Sequence, residues 1–84
     1  MKPIRIYTTT YCGYCTQAKR LLERKQLPYE EIDVTSDDEK RDWLVKRTGR
    51  RTVPQIFIGE EAIGGSDDLQ ALEAQGRLDA LLQG

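Results

Sequence analysis

Apolar and polar residues alternate through Ile4-Arg5-Ile6-Tyr7, which predicts a first strand. Thr8, Thr9 and Thr10 carry the chain off it, and the period then changes. From Gly13 to about Gln26, Ala18, Leu21 and Leu22 share one stripe, while Lys19, Arg20, Glu23 and Arg24 mark the wet face of a helix. Pro28 follows its end, and Tyr29, Ile32 and Val34 predict a second short strand. Ser36 and Asp37 are candidate caps for a helix from about Asp38 to Thr48, with Trp43, Leu44 and Arg47 at helical spacing and Gly49 as its stop. Gln55-Ile56-Phe57-Ile58 and Ala62-Ile63 predict two strands joined at Gly59-Glu60, with glycine at the first turn position. Gly64-Gly65-Ser66 leads into a third helix from Asp67 to Gln75, ended by Gly76, and Leu78 to Leu82 form a last helical segment.

The predicted order, β-α-β-α-β-β-α with a short final helix, is that of an α/β chain. A helical crossover between the first two strands implies a parallel, right-handed unit, and the hairpin adds an antiparallel pair, making a mixed four-stranded sheet. Eighty-four residues make one domain, 1–84, with no room for a second core. Charged residues at 32% and hydrophobic ones at 38% suit a small globule with a well-solvated surface. The formal net charge of −1 argues against a nucleic-acid binder, which carries a clear basic excess. No apolar run reaches the roughly 18 residues of a membrane span, and Met1-Lys2-Pro3-Ile4-Arg5 lacks the apolar stretch of a secretory signal. The expected location is therefore the cytoplasm, where thiols stay reduced.

Both cysteines lie in Tyr11-Cys12-Gly13-Tyr14-Cys15, between the first strand and the first helix. Two thiols at this spacing can cycle between a dithiol and a small disulfide ring. A helix N-terminus offers unpaired N–H groups and a positive dipole end, both of which favour a thiolate, the reactive form. A structural disulfide is a poor alternative, because so short a loop removes little unfolded-chain entropy. A structural zinc site needs four ligands, and the chain has two cysteines and no histidine. The strand–Cys-x-x-Cys–helix context therefore reads as redox chemistry.

Four separated features, Cys12-Gly13-Tyr14-Cys15, Thr52-Val53-Pro54, Gly64-Gly65 with Asp67-Asp68-Leu69, and the strand order, resemble the thioredoxin superfamily. Within it the chain is most similar to the short bacterial dithiol glutaredoxins. Thioredoxins proper carry an extra N-terminal strand and helix and a Trp-Cys-Gly-Pro-Cys motif, which do not fit a chain whose first strand starts at Ile4. The resemblance covers nearly the whole chain and implies a thioredoxin-like fold and a glutathione-dependent thiol–disulfide oxidoreductase. Cys12 is then the nucleophile and Cys15 the resolving thiol. Glutathione is the co-substrate, and disulfide-containing or glutathionylated proteins are the partners of a monomer.

The resemblance also implies a glutathione site. Tyr14 is a candidate to line it, with Tyr11 weaker; the plain alternative for Tyr14 is an aromatic half-buried against the helix start. Pro54 matches a proline that is cis in this superfamily and faces the active cysteine, which leaves the backbone of Val53, next to Thr52, to pair with the ligand in an extended manner. The N–H groups of Ser66 and Asp67 can hold the γ-glutamyl carboxylate, and the Asp67 carboxylate can meet its ammonium, while Gly65 permits a close approach. Capping by Ser66 or Asp67 is the plain reading, and the ligand role adds to it, since one segment can do both jobs. Arg51 matches a position that meets the glycine carboxylate, assisted by Arg41. Lys46, Arg47 and Arg50 read as solvated surface.

Two features depart from the family pattern. Thr9 and Thr10 stand where many glutaredoxins have a lysine shortly before the first cysteine, which removes a positive charge from the glutathione site. Gly13 stands where the commonest dithiol motif has proline. Family members without that proline include some that hold a [2Fe–2S] cluster between two chains, with one motif cysteine from each and two glutathione thiolates. A cluster-bound dimer using Cys12 as ligand, acting as carrier or redox sensor, is thus a second reading, and a redoxin served by thioredoxin reductase is a third.

Overall fold

The alternation at the start of the chain becomes β1 (Ile4–Thr8), the strand on which the sheet is built. The other elements of the computed structural model, which describes residues 1–83, are α1 (Gly13–Arg24), β2 (Glu30–Asp33), α2 (Asp38–Thr48), β3 (Gln55–Ile58), β4 (Glu61–Gly64), α3 (Ser66–Ala74) and α4 (Leu78–Gln83). Gly84, the end of the expected 1–84 domain, lies outside the described residues. The sheet order is β2-β1-β3-β4, with β1 parallel to β2 and antiparallel to β3, and β3 antiparallel to β4. This is the mixed four-stranded sheet that the element order implied.

Side-chain alternation along the two central strands divides the core. Ile4, Ile6, Ile56 and Ile58 pack on one face with Ala18, Leu21 and Leu22 of α1, Leu69 of α3 and Leu78 and Leu82 of α4. Tyr7 and Phe57 point to the other face, against Leu44 of α2 and Val34. Arg5 and Arg47 each hold a guanidinium 5.4 Å from the Phe57 ring centre, and Trp43 stacks on the same ring at 5.9 Å. Arg47 also donates to the Glu60 carbonyl at 2.7 Å, so it is anchored rather than simply solvated.

Several boundaries differ from expectation for local reasons. Helix α1 stops at Arg24, because Gln26 turns to φ 58°, a left-handed conformation that no helix continues through. Strand β2 is Glu30–Asp33, the residues in ladder register with β1, while buried Val34 closes the ladder by donating its N–H to the Thr8 carbonyl at 2.8 Å. Asp37, rather than Ser36, caps α2, its carboxylate accepting the Lys40 N–H at 3.0 Å. Gly49 ends α2 at φ 74°, as its sequence position implied. Helix α3 begins one residue early, at Ser66.

Candidate active site

The end of β1 and the start of α1 are joined by Thr9 to Cys12, with Tyr11 at φ 60°. The Thr10 amide donates to Thr35 Oγ1 at 2.7 Å, which ties this loop to the β2–α2 connection. The chain then enters α1 with Cys12 as N-cap in an extended conformation. An oxygen usually fills the capping role by accepting an otherwise orphan amide. Here the Cys12 sulfur does so, receiving the Cys15 N–H at 3.1 Å. The first turn of α1 carries no acidic residue to compete for these amides. In its thiol form Cys12 also donates to the Val53 carbonyl at 3.7 Å, so the sulfur sits directly beside Thr52-Val53-Pro54. The Val53–Pro54 bond is cis, as the resemblance implied.

Cys15, one turn further, is only 2% exposed. Burial first, then the hydrogen bond with Cys12, pushes its thiol up to about 12; a backbone contact at Thr9 and the charge of Lys19 pull the other way. Its sulfur is therefore a protonated thiol at neutral pH. Both cysteines are free rather than joined in a disulfide.

Beside Cys12 runs a groove of about 310 Å³. One wall is Thr52, Val53 and Pro54; the other is Gly65, Ser66 and Asp67 at the start of α3, with Tyr14 at the α1 end. Tyr14 is 62% exposed and lines the groove, so it is not the half-buried aromatic of the alternative reading. Tyr11 is fully exposed and is not among the groove residues. A second cavity of about 330 Å³ continues past Thr52 and Val53 and is lined by Arg51 and, from α2, Arg41. The fold thus brings Tyr14, Thr52, Val53, Pro54, Gly65, Ser66 and Asp67 together along one groove beside Cys12, with Arg51 and Arg41 in the adjoining cavity, and leaves Tyr11 out.

The α3 N-terminus is built differently from the cap expected there. Neither Ser66 nor Asp67 is the N-cap; Gly65 is. Ser66 is buried and its hydroxyl accepts from Gln70 Nε2 at 3.0 Å. The local closure comes from Asp68, whose carboxylate accepts the Gly65 N–H at 2.8 Å and the Arg50 guanidinium at 3.0 Å. These two contacts, the amide first, hold the Asp68 carboxyl below the usual carboxylate range. Gly64 must be glycine: its φ is 118°, and a Cβ there would collide with the Asp68 carboxylate. Sequence reasoning missed Arg50 and the role of Asp68. A residue three after the N-cap that reaches back to its amide was a legible capping signal for Asp68; nothing local marked Arg50.

Residues 4–63 match the glutaredoxin family model. The chain belongs to the glutaredoxin family. It is 52% identical over 82 residues to a glutaredoxin of Pseudomonas aeruginosa, covering 98% of each chain. It is 48% identical over 83 residues to glutaredoxin 3 of Escherichia coli, covering 99% of this chain and all of the other. Among solved structures, a buckwheat glutaredoxin–glutathione complex superposes with a TM-score of 0.91 at 34% identity, covering 98% of this chain and 77% of that one. A solution structure of a Brucella melitensis glutaredoxin gives 0.88 at 50% identity, covering 98% and 89%. The fold is accordingly thioredoxin-like, and membership makes the chain a thiol oxidoreductase. No helix among the described residues is long and apolar enough to cross a membrane.

Proposed function

We propose that this glutaredoxin is a glutathione-dependent thiol–disulfide oxidoreductase that works through Cys12 and Cys15. The observation that carries the reading is the Cys12 sulfur itself: it caps α1, receives the Cys15 amide at 3.1 Å, and lies beside Val53 in the wall of the groove. The buckwheat relative whose structure was solved with glutathione supports the choice of ligand.

In this reading the Cys12 thiolate attacks the glutathione sulfur of a mixed disulfide. The substrate sulfur leaves with the electron pair and takes up a proton as a free thiol. The Cys12–glutathione disulfide is cleared in one of two ways. A second glutathione thiolate attacks the bound glutathione sulfur, giving glutathione disulfide and restoring Cys12. Alternatively, Cys15 loses its proton and attacks the Cys12 sulfur, releasing glutathione and closing the Cys12–Cys15 disulfide. Two further glutathiones then reduce that disulfide. Protein disulfides take the second route, with a substrate sulfur in place of glutathione. Because Cys15 is buried and protonated, it attacks after Cys12 has reacted and does not compete for the first substrate.

Glutathione lies extended along Thr52-Val53-Pro54, with Tyr14 at its side. Its γ-glutamyl end meets the amides of Ser66 and Asp67 beside Gly65, and its ammonium meets the Asp67 carboxylate. Its glycine carboxylate meets Arg51, with Arg41 behind, which is consistent with the second cavity continuing from Val53. These guanidiniums supply the positive charge that Thr9 and Thr10 do not. The partners are glutathionylated or disulfide-containing proteins, met by a monomer in a reducing compartment such as the cytoplasm.

A coupled assay decides between electron donors. Turnover of a glutathione mixed disulfide with glutathione and glutathione reductase is expected; turnover with thioredoxin reductase alone would replace this reading with that of a thioredoxin-linked redoxin. For a [2Fe–2S] cluster, one chain offers the Cys12 sulfur and keeps Cys15 buried, so the other ligands have to come from outside. An absorption scan of protein purified anaerobically with glutathione tests that role.

A further inference from the structure

The first turn of α3 carries two adjacent carboxylates, Asp67 and Asp68. Under the proposed reading, a ligand ammonium meets Asp67 while the neighbouring ligand carboxylate lies on the Ser66 and Asp67 amides. A second negative charge at Asp68 would repel that carboxylate. The two acids are treated differently by the fold. Among the described residues Asp67 has no ion-pair partner, whereas Asp68 is paired with Arg50 Nη1 at 3.0 Å. The Asp68 oxygen that Arg50 meets is also the one that accepts the Gly65 amide. Arg50 comes from the opposite wall, just before Thr52-Val53-Pro54, and both partners line the groove with Ser66 and Asp67. Asp68 is ionised at neutral pH, because its carboxyl is held low, so without Arg50 its charge would stand open at the groove.

We infer that Arg50 is a positioning residue for ligand recognition: by neutralising Asp68 across the groove, it lets a carboxylate reach the α3 N-terminal amides and leaves Asp67 alone to select the adjacent ammonium. The inference rests on the glutathione reading above. It assigns the zwitterionic selectivity of this end of the groove to a balance of three charges, Arg50, Asp67 and Asp68, and not to Asp67 alone. Arg50 and Asp68 are 51% and 42% exposed, so their pair adds little to folding and is weakened by salt. An effect on binding is therefore separable from one on stability.

The test is steady-state kinetics with a glutathione mixed disulfide, coupled to glutathione reductase, at low and high ionic strength. In R50Q the KM is expected to rise about threefold to tenfold at low salt with kcat nearly unchanged, and the rise should shrink in high salt. R50K restores most of the affinity, since a point charge suffices for neutralisation. The deciding variant is R50Q/D68N, which removes both charges and should return KM to near the wild-type value. An R50Q variant with unaltered KM overturns the inference. A double variant as weak as R50Q also overturns it, because Arg50 would then contact the ligand directly or act only as scaffold. Melting curves on the same samples check folding; should R50Q melt early, R50K against R50Q/D68N carries the same comparison. A wild-type chain that does not turn over the mixed disulfide removes the glutathione reading itself, before any variant is compared.

Discussion

Helices α1 and α3 both present their N-termini to the groove, yet they end in opposite ways. The α1 start has no acid in its first turn and is capped by the Cys12 sulfur. The α3 start has two acids, and one of them, Asp68, folds back on Gly65 and binds Arg50. The same orphan amides and the same dipole therefore serve different ends. In α1 the cap is left chemically reactive. In α3 the cap is a closed, inert loop that leaves the next amides open. Under the proposed function, a nucleophile as cap beside a recognition surface with its own cap already satisfied is how one short chain separates chemistry from binding.

The sharpest way to break this contrast is at the reactive cap. Cys12→Ser is expected to reduce glutathione-dependent turnover to background, because serine can still accept the Cys15 amide but cannot form a disulfide. Cys15→Ser should retain deglutathionylation and lose reduction of protein disulfides; comparing the two substrates on both variants checks the division of roles. Loss of both activities in Cys15→Ser would show that Cys15 supports the cap and does more than resolve.

The α3 start depends on what anchors it. Leu69, fully buried among Ala18, Leu21 and Leu22, ties its first turn to α1. Leu69→Ala should cost about 2–5 kcal/mol in chemical denaturation, large for a domain of this size. It should also weaken the groove, since the α3 start is held to the body of α1 through that contact.

The two cysteines are expected to differ in access to an alkylating reagent, since Cys15 is buried and Cys12 is not. Iodoacetamide at pH 7 should label Cys12 and spare Cys15, as read by mass spectrometry of the digested protein. The Cys15 thiol is raised from 9.0 to about 12 in the folded chain, so folding retains a proton that the unfolded chain releases. That contribution to stability is complete below about pH 9 and is lost as pH rises toward 12. Denaturation of Cys15→Ser should accordingly show a flatter alkaline limb than the parent.

The smallest effect is expected at the inert cap. Asp68→Ala should cost about 0.5–2 kcal/mol, the usual range for a lost helix cap. Because the Asp68 carboxyl is held low by Gly65 and Arg50, its contribution is present above about pH 4 and fades as pH falls further. The variant should lack that part of the acid transition. If Asp68→Ala were as harmful as Leu69→Ala, the α3 start would be an electrostatic structure and not a packed one.

How much of this was readable in the chain follows from the range of each interaction. The strands and helices rest on contacts among near neighbours, so alternation at Ile4–Tyr7 and the stripe of Ala18, Leu21 and Leu22 were enough to locate them. Boundaries slipped where a backbone conformation decided the matter, as at Gln26, or where pairing with another strand did, as at Glu30–Asp33. Ser66 looked like a cap because serine caps helices often; its hydroxyl instead serves Gln70 within the helix, and a glycine with a reach-back acid does the work.

The amino-acid order alone determined the element sequence, the placement of two thiols at a helix start and the class of chemistry, since each depends on spacing within a turn or two of chain. Only the tertiary structure decided which residues share the groove. Val53 meets a sulfur 41 positions away, and Arg50 meets a carboxylate 18 positions away. The burial that keeps Cys15 protonated likewise comes from the fold enclosing it. Contacts of this kind leave no periodic trace, because what creates them is the packing of separate elements against one sheet.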